Sequence, residues 1–294
     1  MRWQPWFYQY FFMLAALGFY AWKEPRSKNN RAALNLCALI IISIYFWSGV
    51  QKLNASFINE VWPGMSEPLL RFVPGGLKSF PPFTALIIPL LEIGIALGLL
   101  TRRFRNASVI LAIAAHAVIL ALLIAEGENT VVWPWNIAMG FMVLLLFWQN
   151  RETTAKQILV PKRAFHALVL ILFAILPPLS LIGLWDSYLS SALYSGNNYR
   201  GVIYITQPVM DRLPLALHEY VWTDVQPMFL DTTLWAYGEL NVPVYPEPRV
   251  FRLITKQVCT YAERPSNVRL GLRERPNLFT GVRETRYYDC NHLR

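Results

Sequence analysis

Long apolar runs separated by short basic segments constrain this chain more than any other feature. Six runs occur: Trp6–Trp22, Ala33–Val50, Phe83–Leu100, Ala107–Ala125, Val131–Trp148 and Phe165–Trp185. Each approaches the roughly 20 residues that a helix needs to cross the hydrocarbon core of a bilayer. Composition agrees. Only 15% of residues are charged and the mean hydropathy is +0.33, whereas a soluble domain carries about a quarter charged residues. The expected fold class is therefore mainly α: a polytopic membrane helical bundle of about six spans over residues 1–185. The first run is the weakest, being short and rich in Tyr and Gln. Lys23, Glu24 and Pro25 follow it, so no small-residue cleavage site is present and the run reads as a retained anchor. An interfacial helix is the plain alternative.

The basic residues set an orientation. Segments 23–32, 101–106 and 149–164 hold eleven Lys and Arg, whereas the intervening segments 1–5, 51–82 and 126–130 hold four: Arg2, Lys52, Arg71 and Lys78. Cytoplasmic loops carry the excess of positive charge. The expectation is a protein integral to the cytoplasmic (inner) membrane, with its C-terminal part outside the cytoplasm. The net charge of +9 follows this loop pattern rather than one basic stripe. No recognition motif accompanies it, which argues against nucleic acid as a partner. Segment 51–82 is longer than a turn requires. It mixes Phe57, Trp62, Leu69, Leu70 and Phe72 with Glu60, Glu67, Arg71 and Lys78. That mixture suits a segment lying on the membrane surface or capping the bundle.

Residues 186–294 are different material. They hold twelve Lys and Arg against eleven Asp and Glu and no spanning run, which reads as a small, water-exposed, extracytoplasmic α+β domain. Strands are expected at 201–206, 267–272 and 283–290, and helices at 228–240 and 246–261, the second opening on Pro246 and Glu247. Of the three cysteines, Cys37 lies inside an apolar run and reads as a buried thiol. Cys259 and Cys290 both fall in the domain placed outside, where an oxidising compartment favours a disulfide.

Two ionisable residues stand inside the spans. Glu92 lies in the middle of the run Phe83–Leu100 and His116 in the middle of Ala107–Ala125, about equally far from the turn that holds Arg102, Arg103 and Arg105. An antiparallel hairpin places them at one depth, and an ionisable group there costs several kcal/mol unless it is paired or faces a cavity. Glu92 and His116 are thus the candidate catalytic pair, expected to face each other or one shared cavity. Asn136 is the expected third polar member, and Lys52 a more distant one at the outer rim. Plain alternatives stand beside these roles. Polar pairs in membranes also simply hold helices together, Lys52 can snorkel to the interface, and Trp133 and Trp135 suit an aromatic belt. Pro89, three residues before Glu92, loosens the backbone there. One His and one Glu do not make a metal site, and no P-loop, nucleophile elbow or dinucleotide fingerprint is present.

The run Gly49-Val50-Gln51-Lys52-Leu53 resembles the G-x-x-K-L signature of DoxX-like membrane proteins. Glu92-Ile93-Gly94-Ile95-Ala96-Leu97-Gly98 resembles their E-x-x-G-x-x-L pattern, with a spacing that departs by one or two residues. His116 followed by Trp135-Asn136 is similar to the related MauE-like branch. The resemblance covers roughly residues 33–150, a four-helix core. It implies a membrane-embedded redox or quinone-linked role, with a quinone as cofactor and Lys52, Trp135 and Asn136 as its binding residues. A quinone's proton exchange gives an acid and an imidazole something to do. No haem, iron–sulfur or flavin motif is present, so a redox protein partner is the expected source of any other cofactor. The alternative is a non-enzymatic anchor or assembly factor whose outer domain binds a protein partner. A bundle followed by an outer domain is also similar in architecture to vitamin-K-dependent carboxylase-like membrane proteins, a likeness that no residue motif carries.

Overall fold

The computed structural model describes residues 3–23, 31–71, 79–127 and 129–293. Arg26, Lys28, Phe72 and Lys78 lie outside the described residues, so part of the expected charge asymmetry does too. The chain divides into two compact units, one formed by Trp3–Asn197 and the other chiefly by Asn198–Arg294. The boundary falls twelve residues beyond the expected one at 185/186, because the Ser-rich stretch 186–197 is buried with the helices: Ser187, Ser190, Ser195 and Asn197 are all buried.

The helical unit runs α1 (Pro5–Lys23), α2 (Arg31–Lys52), α3 (Trp62–Leu70), α4 (Ile87–Leu100), α5 (Arg105–Glu126), α6 (Trp133–Phe147), α7 (Ala155–Leu159) and α8 (Ala164–Leu170). Four segments among the described residues are long and apolar enough to cross a membrane: Arg31–Lys52, Pro82–Leu100, Arg105–Ala125 and Thr130–Phe147. This is fewer than the six expected from apolar runs. α1 is long enough, at 19 residues, but its Tyr and Gln content dilutes its hydropathy. The last run is not one helix. The apolar helix Ala164–Ile175, its last turn widened to π geometry, spans only about 18 Å at 1.5 Å per residue. Pro177 and Pro178 follow. A proline has no N–H to return to the carbonyl four residues back, and the Ala174 carbonyl instead accepts from Trp47 Nε1 at 3.2 Å.

Why α2 is the centre follows from its faces. Leu36, Leu39, Ile40 and Ile41 are fully buried, and 67% of its apolar window is buried against 17% for α5. The flanking helices turn Leu90, Ile110, Phe141 and Leu145 outward, an apolar exterior that water solvates poorly and lipid solvates well. Arg105, counted with the basic residues of segment 101–106, is not a solvated loop cation. It is 1% exposed and donates to Leu99 O at 2.8 Å, to Thr153 O at 3.0 Å and to Asn150 O. A cation at the C-terminus of α4 satisfies carbonyls the helix leaves open, and here it stitches them to the loop after α6.

In the second unit, β1 (Arg200–Ile205) is followed by α9 (Gln207–Met210), β2 (Val221–Trp222), β3 (Phe229–Leu230), α10 (Thr232–Leu240), α11 (Pro248–Val258), β4 (Val268–Arg273) and β5 (Thr285–Asp289). The strands form one antiparallel sheet in the order β2-β3-β1-β4-β5. Ile203, Ile205, Leu230, Val268, Leu270 and Leu272 turn to one face and bury Phe251 and Val258 of α11. The helix expected at 228–240 begins later because Phe229–Leu230 pairs into the sheet. Asp231 then caps α10, accepting from Thr233 N at 2.9 Å and Leu234 N at 3.0 Å, as an N-cap aspartate does. Cys259 and Cys290 form a disulfide that ties the end of α11 to the end of β5.

Candidate functional site

α2 presents Tyr45, Ser48, Gly49 and Lys52 at spacings of three, four and seven residues, which share one helix face. Gly49 decides how near α4 comes. A Cβ built there would lie 2.7 Å from Pro89 O and 2.8 Å from Ile93 Cγ1, so only glycine permits the approach. Pro89 and Ile93 bracket Glu92, and the close packing brings the Glu92 carboxylate to the next residue on that face of α2. Lys52 Nζ donates to Glu92 Oε1 at 3.0 Å and Oε2 at 2.8 Å, and to Ser48 Oγ at 2.5 Å. The side chains are 6% and 17% exposed, so this is a pair held out of bulk water. Lys52, expected as a more distant member of the cluster, bonds Glu92 directly, and a paired charge costs far less than a bare one in an apolar setting.

His116 on α5 takes partners from two other helices. Its Nε2 lies 2.6 Å from Tyr45 Oη and its Nδ1 lies 2.8 Å from Asn136 Oδ1. Asn136 Nδ2 donates to Val132 O at 2.9 Å. That last bond fixes the amide, because nitrogen must face the carbonyl. Asn136 Oδ1 is then the acceptor, His116 Nδ1 carries the proton, and the neutral ring leaves Nε2 to accept from the Tyr45 hydroxyl. The result is a directed chain, Tyr45 to His116 to Asn136 to Val132, crossing from α2 through α5 to the start of α6.

Glu92 and His116 therefore do not bond each other. Each takes its partner on α2, at positions seven residues apart, or about 10.5 Å along the axis. Trp135 faces a different helix from Asn136. Its Nε1 donates to Gln9 Oε1 on α1 at 2.8 Å, since neighbouring residues on a helix point about 100° apart and only one of Trp135 and Asn136 can face α5. Gln9 is itself buried and sets its amide nitrogen 3.2 Å from the sulfurs of Met139 and Met142. Tyr45 is the site residue that sequence reading missed. Among the described residues, no group of three or more His, Cys, Asp and Glu could hold a metal ion.

Chemically, the cluster holds one neutralised acid–base pair and one hydrogen-bond chain that ends on a hydroxyl. Tyr45 Oη can take up a proton while passing its own to His116 Nε2. The imidazolium so formed keeps its bond to Asn136. No protein-family model, curated protein or solved structure matches this chain.

Proposed function

We propose that this chain is an integral membrane protein of DoxX-like type whose helical unit exchanges protons with a quinone. The observation that carries the reading is the directed chain from Tyr45 through His116 to Asn136 beside the Lys52–Glu92 pair. A quinone carbonyl needs donors and a quinol hydroxyl needs an acceptor. Tyr45 supplies either function by rotating its hydroxyl. The Lys52–Glu92 pair stands on the same face of α2, seven residues from Tyr45. The bound quinone supplies the two-electron chemistry, and a separate redox protein partner exchanges the electrons. The cytoplasmic (inner) membrane, with the sheet unit outside the cytoplasm, is the placement that the basic-residue pattern supports.

One observation favours a second reading, that of a non-enzymatic anchor or assembly factor. Lys52 is already saturated by Ser48 O, Ser48 Oγ and both oxygens of Glu92, as a purely structural pair would be. Titration of the full chain in nanodiscs with a short-chain quinone separates the two. Wild type binds it under the first reading, and Tyr45→Phe binds about tenfold more weakly, the equivalent of about 1.4 kcal/mol. No binding by wild type leaves the anchor reading standing alone.

A further inference from the structure

One face of the five-stranded sheet buries α11, and the other carries a row of aromatic rings and arginines. The antiparallel register sets Trp222 beside Phe229, Phe229 beside Tyr204 and Tyr204 beside Arg269. Strand alternation turns these side chains away from the core face that Ile203, Leu230 and Leu270 line. Ring centroids lie 6.1 Å apart for Trp222 and Phe229, 6.4 Å for Phe229 and Tyr204, and 6.3 Å for Tyr204 and Tyr287 of the edge strand β5. Trp222 is 47% exposed and Tyr287 is 56% exposed. Gly271 on β4 lets the two tyrosines close the row. A Cβ there would lie 2.9 Å from Tyr204 Cε2 and 3.3 Å from Tyr287 Cε1, so both rings reach over the bare backbone of β4. From β2 to β5 the row runs about 19 Å at the usual strand spacing, which suits an extended oligomer better than a small molecule.

The charge on this face is one-sided. Arg200, Arg269 and Arg273 lie on it and are exposed. The acid beside them is Asp289, which is already bonded by the His292 ring and by the amides of Asn291 and His292. Arg269 sets its guanidinium carbon 5.6 Å from the Tyr287 ring centroid, and no carboxylate among the described residues pairs with Arg269 or Arg273. Packing alone explains the rings, since cross-strand aromatic contacts stabilise a sheet. It does not explain the arginines. Arg200 and Arg273 stand directly opposite each other, an arrangement of like charges that costs stability and that an anionic partner relieves.

We propose that this face binds an acidic glycan strand. Tyrosine and tryptophan offer an apolar ring with a polar edge, which matches the C–H face and hydroxyl rim of a pyranose. The planar fork of arginine takes a carboxylate through two parallel bonds, so Arg269 and Arg273 hold uronate groups while the rings stack the sugars. The step from an anionic polymer to a glycan rests on the placement of the sheet unit outside the cytoplasm, and binding by the purified chain reads the chemistry of the face whichever side it lies on. The quinone reading plays no part in it.

The test is calorimetric titration of the full chain, in phosphatidylcholine nanodiscs, with tetragalacturonate. Maltotetraose serves as the neutral sugar and oligouridylate as an anionic polymer of another class. Wild type should bind tetragalacturonate about tenfold or more tightly than maltotetraose, and the affinity should fall as salt screens the arginines. Arg269→Gln and Trp222→Ala should each weaken it about tenfold. Both side chains are exposed, so the core of the sheet is kept. Lys256→Gln, on the exposed side of α11, should bind as wild type does. Equal affinity for tetragalacturonate and maltotetraose, or none for either, would overturn the proposal. So would Arg269→Gln and Trp222→Ala binding like wild type, or tighter binding of oligouridylate, which would make the face a nucleic-acid platform.

Discussion

In the helical unit a lysine and a glutamate meet between two apolar helices, with side chains 6% and 17% exposed. In the sheet unit Arg212 pairs with Glu263 at 51% and 55% exposure. The second pair is screened by water and contributes about 0–1 kcal/mol. The first gains little over a well-packed apolar pair, yet losing either partner strands a charge where water cannot reach it. The comparison teaches where each unit keeps its specificity. The helical unit fixes the register of α2 against α4 with a buried polar pair and a glycine. The sheet unit relies on an apolar face against α11, a covalent staple and surface charge.

The comparison breaks most visibly at Glu92. Glu92→Leu leaves Lys52 buried and unpaired and should cost roughly 3–5 kcal/mol, read as lowered thermal stability in detergent. Combining it with Lys52→Met should restore most of the loss, since the stranded charge is gone. A single variant as stable as wild type would mean that the pair is solvated.

The staple of the sheet unit comes next. Closing the 31-residue separation between Cys259 and Cys290 corresponds to about 3.7 kcal/mol in the chain-entropy account. Replacing both by Ser should raise hydrogen exchange across β4, β5 and α11 and leave α2 and α4 unchanged. Equal loosening of both units would erase the distinction between them.

Gly49→Ala sharpens the account of the helical unit. Its Cβ would press on Pro89 O and Ile93 Cγ1, and overpacking of this kind costs about 1–3 kcal/mol. A gain in stability would show that α2 and α4 have room to spare.

The smallest effect is a pH dependence at the end of the chain. The imidazole of His292, bonded at 2.7 Å, holds the Asp289 carboxyl below its ordinary range, assisted by the amides of His292 and Asn291. A carboxyl depressed in the folded state contributes stability above its unfolded value, about 3.9, and loses it as pH falls through the folded value. The protection of the Asn291 and His292 amides, relative to their intrinsic exchange rates, should therefore fall only below about pH 4, and unchanged protection there would remove Asp289 as the cap.

Much of this was legible in the chain. Apolar runs located the four segments long and apolar enough to cross a membrane, because length and hydropathy decide that property alone. Glu92, His116 and Asn136 stood out as polar residues in an apolar setting. Their pairing did not, because equal depth says nothing about rotation about a helix axis. Glu92 faces α2 across Gly49, while His116 faces α2 and α6. Tyr45 was hidden because a tyrosine in an apolar run reads as a packing aromatic; its place seven residues before Lys52, on the face that carries Gly49, was the available signal. The sixth run misled because summed hydropathy is blind to Pro177 and Pro178, which end the helix. Arg105 misled because charge counts treat every loop cation as solvated, and this one caps a helix.

The directed hydrogen-bond chain at His116 is open to nitrogen NMR. The protein has four histidines, so the full chain in nanodiscs, labelled with nitrogen-15 at histidine and assigned with His116→Gln, gives a readable spectrum. The account predicts a neutral His116 with its proton on Nδ1, and an Nε2 resonance that moves when a short-chain quinone is added or when Tyr45 is replaced by Phe. A proton found on Nε2, or an Nε2 resonance unmoved by both changes, would contradict it.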